Sequence, residues 1–266
     1  MFKLKRWSVS KLKSYQDCPY KFYCSYILEE FPEGNAKALT WGSAFHQCAE
    51  FAFSNFKFPS KEELLKYYED HWVADDYLKD FAKAIKNNIP RWQFLGYDYE
   101  AEELEFYKIG QRIVSDFWDR HNNIKKLPFA IELNFNEQLP TGDFLYGFID
   151  RVDLPANYRI LDYKTGKWED TQEKLKDDLQ LGLYQWAFCK KFNLPYNVVE
   201  YCALYYVRSS NLVPVSFMGI EIEKILDKTS AIITKVASGL FTKTPREVWI
   251  CKFCAFKHGL CDAPKM

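Results

Sequence analysis

The pattern of hydrophobic and polar positions changes character about halfway along the chain. Up to residue 127 the hydrophobic residues recur at spacings of three and four, which is typical of amphipathic helices. After Pro128 there are segments in which hydrophobic and polar residues alternate, as they do in half-buried strands. The chain therefore predicts a mainly helical first part, followed by a part that contains a β-sheet.

The first part predicts five helices. Ser8 or Ser10 can cap the first of them, which runs to about Leu28. The other four are predicted at residues 41–53, 61–71, 75–88 and 99–121.

The second part predicts strands and helices in the order β-β-β-α-β-β-α. The strands are expected at 129–135, 144–154, 158–164, 198–207 and 213–220, with helices at 170–192 and 221–240 and a cysteine-rich tail at 248–266. This order predicts an α/β fold with a mixed central sheet covered by helices. We expect one domain over residues 1–266, with a helical part (1–127), a core (128–220) and a C-terminal helix and tail (221–266).

Composition limits the class of protein. Of the 266 residues, 48 % are hydrophobic and 18 % are aromatic, which predicts a packed core rather than disorder. The chain carries 36 basic and 36 acidic side chains, so any surface for nucleic acid must come from local clustering of Lys and Arg. No signal-like segment or run of about 18 apolar residues is present, so we expect a soluble, cytoplasmic protein that does not enter a membrane.

Two carboxylates and a lysine form the sharpest local pattern. Asp150 and Asp162 lie on successive predicted strands joined by a tight turn, and Lys164 is two residues after Asp162 on the same face. Paired carboxylates bind a hard cation such as Mg²⁺ or Mn²⁺, and an ammonium can stabilise charge that develops on a phosphoryl group. The pattern favours phosphodiester hydrolysis, but an ordinary hairpin with solvated charges has the same residue types.

A longer set of motifs resembles the PD-(D/E)XK nuclease superfamily, in its RecB/AddB-like branch. The motifs are Gly-Phe-Ile-Asp-Arg-Val-Asp at 147–153, Leu-Asp-Tyr-Lys-Thr-Gly at 161–166, Gln180-x-x-x-Tyr184, a histidine (His46) in the helical part, and an opening segment at 8–22. They are similar to those of CRISPR-associated RecB-like exonucleases. The resemblance implies a restriction-endonuclease-like fold.

The resemblance also implies roles for single residues. His46, Asp150 and Asp162 would be metal ligands together with the Tyr163 carbonyl, and Lys164 would be the catalytic lysine. Gln180 and Tyr184 would contact the DNA backbone or order the site.

Three further expectations concern acids and the histidine. Asp153 matches the same motif, and we expect it to be structural. Glu132 on the first strand is expected to point at the site. From periodicity alone, His46 between Phe45 and Phe51 is more typical of a hydrogen-bonded core residue than of a ligand.

The tail carries three cysteines at metal-ligand spacing, Cys251-x₂-Cys254-x₆-Cys261. Three thiolates leave one ligand to be supplied. His258 would complete a zinc site, whereas the resemblance implies Cys18 as the fourth ligand of a structural [4Fe–4S] cluster. The other four cysteines (Cys24, Cys48, Cys189 and Cys202) are expected to be buried thiols.

The resemblance implies a metal-dependent DNA nuclease that acts as an exonuclease on single strands or duplex ends. An endonuclease of the same fold and a non-catalytic DNA-binding or structural subunit are the alternatives. No G-x-x-x-x-G-K-[ST] loop is present, so a helicase or a recombination or adaptation protein would be a separate partner. Candidate DNA contacts are Lys3, Lys5, Arg6, Lys11 and Lys167, with Tyr20, Trp168 and Tyr184 as aromatic rings for base stacking.

Overall fold

The computed structural model describes residues 2, 4, 6–30, 36–54, 57–73, 78–257 and 259–261, without the side chains of residues 36–40, 78–80 and 253. The expectations for Lys3, Lys5 and His258, and for the start of the helix at 75–77, fall outside these residues.

A mixed sheet forms the centre of the fold, as the order of predicted elements indicated. Its strands are β1 (Arg6–Trp7), β2 (Ala130–Gln138), β3 (Phe144–Asp153), β4 (Tyr158–Lys164), β5 (Val199–Tyr206) and β6 (Asn211–Val215). β3 pairs antiparallel with β2 and with β4, β4 is parallel to β5, and β5 is antiparallel to β6. β1 pairs in parallel with the beginning of β3.

Helices cover both faces of the sheet. They are α1 (Val9–Asp17), α2 (Pro19–Tyr26), α3 (Ala36–Ser54), α4 (Lys61–Asp70), α5 (Leu78–Lys86), α6 (Arg91–Phe94), α7 (Glu100–His121), α8 (Gln172–Leu175), α9 (Leu179–Phe192) and α10 (Gly219–Ala237), with 3₁₀ turns at Tyr196–Val198 and Val248–Phe253. No helix among the described residues is long and apolar enough to cross a bilayer.

The sheet separates two hydrophobic cores. On one face, α1, α9 and α10 pack over residues such as Ile160 of β4. On the other face, α3 and α7 enclose Tyr163, the β4 residue that points the opposite way. Because successive residues of a strand face opposite sides, Asp162 and Lys164 point toward the α9 side. The main-chain carbonyl between them remains near the α3 side.

The first predicted helix is divided in two at Cys18. Cys18 has extended backbone angles (φ −162°, ψ 115°) between α1 and α2. The residue before a proline is disfavoured in the helical region, and a proline is well tolerated in the first turn of a helix. Pro19 therefore ends α1 and begins α2, and it takes the Cys18 side chain out of a regular helix face.

Two other predicted elements end at different residues. The helix expected at 170–192 is interrupted, because Asp178 caps α9 by accepting a hydrogen bond from the Leu181 backbone N–H at 2.9 Å. The last strand ends at Val215, and Gly219 and Ile220 belong to α10 instead. The Glu221 side chain accepts from the Met218 backbone N–H at 3.0 Å and so helps to begin α10.

Candidate active site

The two motif aspartates lie where β3 and β4 separate. The strands are paired from Asp153↔Arg159 to Arg151↔Leu161, and the next pair would be Asp150 with Asp162. There the ladder stops, and the Tyr163 backbone N–H donates to Asp150 Oδ2 at 2.7 Å. A side chain thus takes the place of a backbone acceptor, which opens a gap between the strands and holds Asp150 at its edge.

Asp150 is crowded by other carboxylates. Its side chain is buried, and burial raises its pKa well above the ordinary value, with Asp162 and Glu132 adding to the shift and the Tyr163 N–H opposing it. A bound cation would relieve this repulsion, since an opposite charge favours the ionised carboxylate.

Gln180 connects Asp162 to Lys164. Its Nε2 donates to Asp162 Oδ1 at 2.8 Å and to the Tyr184 hydroxyl at 3.0 Å, and its Oε1 accepts from Lys164 Nζ at 2.9 Å. Lys164 Nζ also lies 2.7 Å from Asp162 Oδ2. One side-chain amide in the first turn of α9 therefore orders the three polar groups that the motif residues contribute.

Lys164 is held in its charged form. Burial acts to lower its pKa, but Asp162 and, more weakly, Asp150 outweigh burial and raise the pKa above its usual value. The ammonium is therefore a donor and a positive charge at neutral pH rather than a general base.

His46 reaches the same place from α3. Its Nδ1 lies 3.5 Å from Asp150 Oδ2. Burial lowers the His46 pKa, while Asp162 and a hydrogen bond with the Tyr163 backbone act in the opposite direction. A neutral imidazole is the form that binds metal ions. The structure thus brings His46 beside Asp150 and the Tyr163 main chain.

Glu132 completes the group. Ligand atoms of His46, Glu132 and Asp150 all lie within 4.8 Å of one another, and no other three His, Cys, Asp or Glu side chains among the described residues come together in this way. Burial, Glu50 and Asp162 raise the pKa of Glu132 to about 7. Glu132 can be predicted from the sequence as a site residue because it is an acid on the strand that pairs with the strand of Asp150.

The backbone is irregular where Glu132 meets Asp150. Glu132 has φ +44°, an uncommon angle for a residue with a side chain. Ile149 and Val152 also pack in the same core, although residues three apart on a regular strand face opposite sides. Backbone strain of this kind occurs at functional sites, where the surrounding structure must hold it.

The residues of this site fit a divalent cation. Asp162 Oδ2 is buried and has no well-directed hydrogen bond, because its contact with Lys164 Nζ is an ion pair of poor hydrogen-bond geometry. Carboxylates from β2, β3 and β4 and the His46 imidazole surround the gap, and hard cations take mainly oxygen ligands. The donor set is of the kind that binds a divalent metal ion.

A buried ion pair supports the site from the α3 side. Arg151 Nε donates to Asp153 Oδ1 at 2.7 Å, and its guanidinium lies 4.4 Å from the centre of the Phe53 ring. Arg151 Nη1 also reaches the Tyr163 hydroxyl at 3.4 Å. Asp153 therefore faces away from the gap and fixes the strand, which agrees with the structural part expected for it.

The predicted DNA contacts divide into exposed and engaged side chains. Arg6 and Lys167 are exposed, and Trp168 is 91 % exposed just after the motif strand. Tyr20 donates to the Leu260 carbonyl at 3.0 Å and lies at the cysteine tail instead. Tyr184 is buried with its hydroxyl in the Gln180 network, so the expectation that its ring stacks a base is wrong.

Cys18 and the three cysteines of the tail (Cys251, Cys254 and Cys261) line one small cavity beside α2. Burial raises the pKa of Cys251, and the other three thiols add to the shift. Cys24, Cys48, Cys189 and Cys202 are fully or almost fully buried, as expected, although Cys24 lies close enough to the cavity for its pKa to respond to three of its cysteines.

Comparisons with known proteins agree with this architecture. The family model of the PD-(D/E)XK nuclease superfamily matches residues 6–262. The chain is 26 % identical over 198 residues to an ATP-dependent helicase/deoxyribonuclease subunit from Clostridium perfringens, and 28 % over 222 residues to its counterpart from Clostridium acetobutylicum. These matches cover 66 % and 70 % of the chain, but only 17 % and 18 % of the relatives.

One solved structure shares the fold over nearly the whole chain. It comes from Eubacterium rectale and is provisionally described as an exonuclease. It covers 98 % of this chain and 91 % of its own, with a TM-score of 0.52 and 13 % identity. At that identity the likeness concerns the fold alone.

Proposed function

The chain belongs to the PD-(D/E)XK nuclease superfamily, and we propose that it hydrolyses phosphodiester bonds of DNA with Mg²⁺ or Mn²⁺ held by His46, Asp150, Asp162 and the Tyr163 carbonyl. Glu132 is added to this set because its carboxylate lies with His46 and Asp150. The observation that carries the proposal is the convergence of these residues with Lys164 and Gln180 at the gap between β3 and β4. An ordinary solvated hairpin would leave such carboxylates exposed, whereas Asp150 and Asp162 are buried.

The residues divide the work at the reacting phosphate. A divalent cation at the carboxylates lowers the pKa of water and polarises a phosphoryl oxygen. Lys164, protonated beside Asp162, donates a hydrogen bond to the attacking water or to the phosphoryl oxygen on which negative charge develops. Gln180 holds the ammonium and Asp162 at fixed positions, so little reorganisation is needed when charge builds up.

Cleavage of labelled DNA tests the proposal. Single- and double-stranded substrates are incubated with Mg²⁺ or Mn²⁺ and the wild type, Asp162→Ala or Lys164→Ala. We expect the wild type to cleave and both variants to lose at least about a hundredfold, since each removes a group that acts on the transition state. Inert wild-type protein with either metal, or full activity in both variants, would contradict hydrolysis at this site and favour a non-catalytic DNA-binding subunit.

We infer exonuclease action on single strands or duplex ends, supported by the resemblance to RecB-like exonucleases and by the lack of a visible sequence-reading module in the chain. A circular single-stranded substrate separates this from an endonuclease of the same fold. An exonuclease leaves a closed circle intact, because the circle has no end. It degrades the same circle once a single nick has been introduced.

We further propose that Cys18, Cys251, Cys254 and Cys261 hold a structural [4Fe–4S] cluster. Their shared cavity supports this, and so does their number, since four thiolates complete the ligand set of such a cluster. Zinc with the same thiolates is the alternative that metal analysis decides.

A helicase partner is proposed from the relatives. They are named as a subunit of an ATP-dependent helicase/deoxyribonuclease, and this chain spans less than a fifth of their length. We propose that a separate helicase or a recombination or adaptation protein supplies the DNA strand in a reducing, cytoplasmic setting.

A further inference from the structure

We propose that a single DNA strand binds along a groove that leads from the active site across α1 and α2, with Lys21 as a phosphate contact at its far end. This inference rests on the proposed nuclease function and names the path of the substrate. The groove is open to solvent and has a volume of about 400 Å³, and Lys164, Gln180 and Tyr184 lie at its inner end. We call it the α1–α2 groove.

The wall of the groove is polar and carries lysines. α1 and α2 contribute the hydroxyl-bearing residues Ser10, Ser14, Ser25 and Tyr26 together with Lys13 and Lys21. Lys11 extends this surface, since its ammonium lies 5.7 Å from the centre of the Tyr26 ring. Hydroxyls, ammonium groups and one aromatic ring along a channel are the combination with which proteins hold single strands without reading sequence.

Ser14 adds an independent sign that a ligand belongs here. Its hydroxyl is buried and has no hydrogen-bond partner among the described residues, although it lines the groove. Buried polar groups are normally paired, and each exception calls for an explanation such as a bound group. A phosphate or sugar oxygen in the groove would supply the missing partner.

The groove has the dimensions of a short segment of one strand. The lining residues on α1 run from Val9 to Asp17, about 12 Å at 1.5 Å per residue. The volume of about 400 Å³ is within the roughly 300–1,000 Å³ of small-ligand sites, so a few nucleotides fit in the groove.

The other charged groups of the wall are already paired. Lys13 Nζ lies 3.3 Å from Asp178 Oδ2, which ties α1 to the start of α9, where Gln180 lies. Asp17 lies 4.0 Å from Arg246 Nη2, which offsets its negative charge. Lys21 lies between the groove and the cysteine cavity, and no described carboxylate pairs with its ammonium.

Binding without cleavage tests the path. Fluorescein-labelled dT12 is titrated with the protein in Ca²⁺ instead of Mg²⁺, and the anisotropy is recorded at several salt concentrations. We expect Lys21→Ala to raise the Kd about fivefold, in line with the loss of one exposed ion pair. We also expect the slope of log K against log salt to fall by about 0.7, the value for one phosphate contact on a single strand.

Two variants keep the result specific. Lys21→Arg retains the positive charge and should bind dT12 as the wild type does. Lys191→Ala removes an exposed lysine of α9 that does not line the groove, and it should leave both the Kd and the salt slope unchanged. Thermal unfolding of all three variants separates lost contacts from lost folding.

The possible outcomes separate the proposed path of the DNA strand along the α1–α2 groove from the proposed hydrolysis of DNA. Wild-type affinity and salt slope in Lys21→Ala would overturn the groove, even if the protein cleaves DNA. An equal loss for dT12 and for a hairpin-capped duplex would overturn the assignment to a single strand. A Lys21 effect in a protein that cleaves nothing with Mg²⁺ or Mn²⁺ would support the groove while the hydrolysis proposal falls.

Discussion

At the residue scale, the Gln180 side chain connects three polar groups of the site. Its amide contacts Asp162, Lys164 and Tyr184 at once, at distances of 2.8 to 3.0 Å. Gln180 thus lies between Asp162, a proposed metal ligand, and Lys164. This position supports the proposal that Gln180 orders the site, one of the two roles that the resemblance implies for it.

Replacing Gln180 should impair the chemistry more than the fold. We expect Gln180→Leu to lower kcat by about 10- to 100-fold, which is typical when a group that orients ligands is lost. Tyr184→Phe removes only one hydroxyl of the network and should cost less. Single-turnover cleavage by the two variants is the measurement. A larger loss in Tyr184→Phe than in Gln180→Leu would show that the amide is not the organising group.

The acids of the site predict how the metal-free protein responds to pH. The pKa of Glu132 is about 7 in the folded protein, above its ordinary value of 4.5. Between those values the unfolded chain releases a proton that the folded chain keeps, so stability falls as pH rises through this window. The raised pKa of Asp150 acts in the same direction.

The measurement is thermal unfolding without divalent metal at about pH 5, near the lower edge of this window, and at about pH 8, above it. We expect the wild type to be less stable at the higher pH, and we expect Glu132→Gln to lose less stability between the two pH values. Adding Mg²⁺ or Mn²⁺ should stabilise the wild type more at the higher pH, because ionised carboxylates bind the cation. An identical pH profile in Glu132→Gln would contradict the assignment of this proton.

At the scale of elements, α9 and α10 approach closely at one glycine of the glutamine motif. A Cβ at Gly182 would lie 2.1 Å from Ile225 Cδ1, so any larger residue there would force the Ile225 side chain to move. The site depends on this contact, since α9 carries Gln180 and Tyr184. Packing of this kind explains why the motif has a glycine between its two polar residues.

A paired substitution tests this contact. We expect Gly182→Ala to destabilise the protein by about 1–3 kcal/mol, the usual cost of overpacking a core. Ile225→Val removes the Cδ1 atom, so the double variant should recover part of that loss. Urea unfolding of the wild type, the two single variants and the double variant gives the coupling energy. If the effects of Gly182→Ala and Ile225→Val on the free energy of unfolding are strictly additive, the strain in Gly182→Ala does not come from the contact with Ile225.

At the scale of the whole molecule, the cysteine cavity joins the two ends of the described chain. Cys18 follows α1, and its three partners lie after residue 250. The backbone adds to this contact, since the Arg246 N–H donates to the Asp17 carbonyl at 2.8 Å. A metal group bound by all four thiolates would therefore hold α1 and α2, and the groove beside them, against the rest of the fold.

Metal content and thermal stability test whether the four thiolates bind a cluster that stabilises the fold. We expect anaerobically reconstituted protein to be brown and to contain four irons and four labile sulfides per chain. Cys18→Ser should lose the cluster and lower the melting temperature, because structural metal sites contribute folding free energy. Cys189→Ser alters a buried thiol outside the cavity and should keep its iron. One zinc and no sulfide in the wild type would contradict the cluster.

The sequence by itself determined the fold class and the order of strands around the motif. β3 and β4 were predicted almost to the residue, because alternation along a strand and a tight turn are local properties. Asp162 and Lys164 were placed on one face for the same reason. The break at Cys18 also has a local signal in Pro19, although the helical periodicity on both sides of it concealed the break.

Only the tertiary structure decided what those residues face. His46 and Asp150 are far apart along the chain, and their approach depends on how α3 packs over the sheet. The positive φ of Glu132 and the α1–α2 groove likewise arise where separate elements meet. Patterns along a chain report which face of an element is buried, whereas the partner of that face is chosen by packing between distant segments.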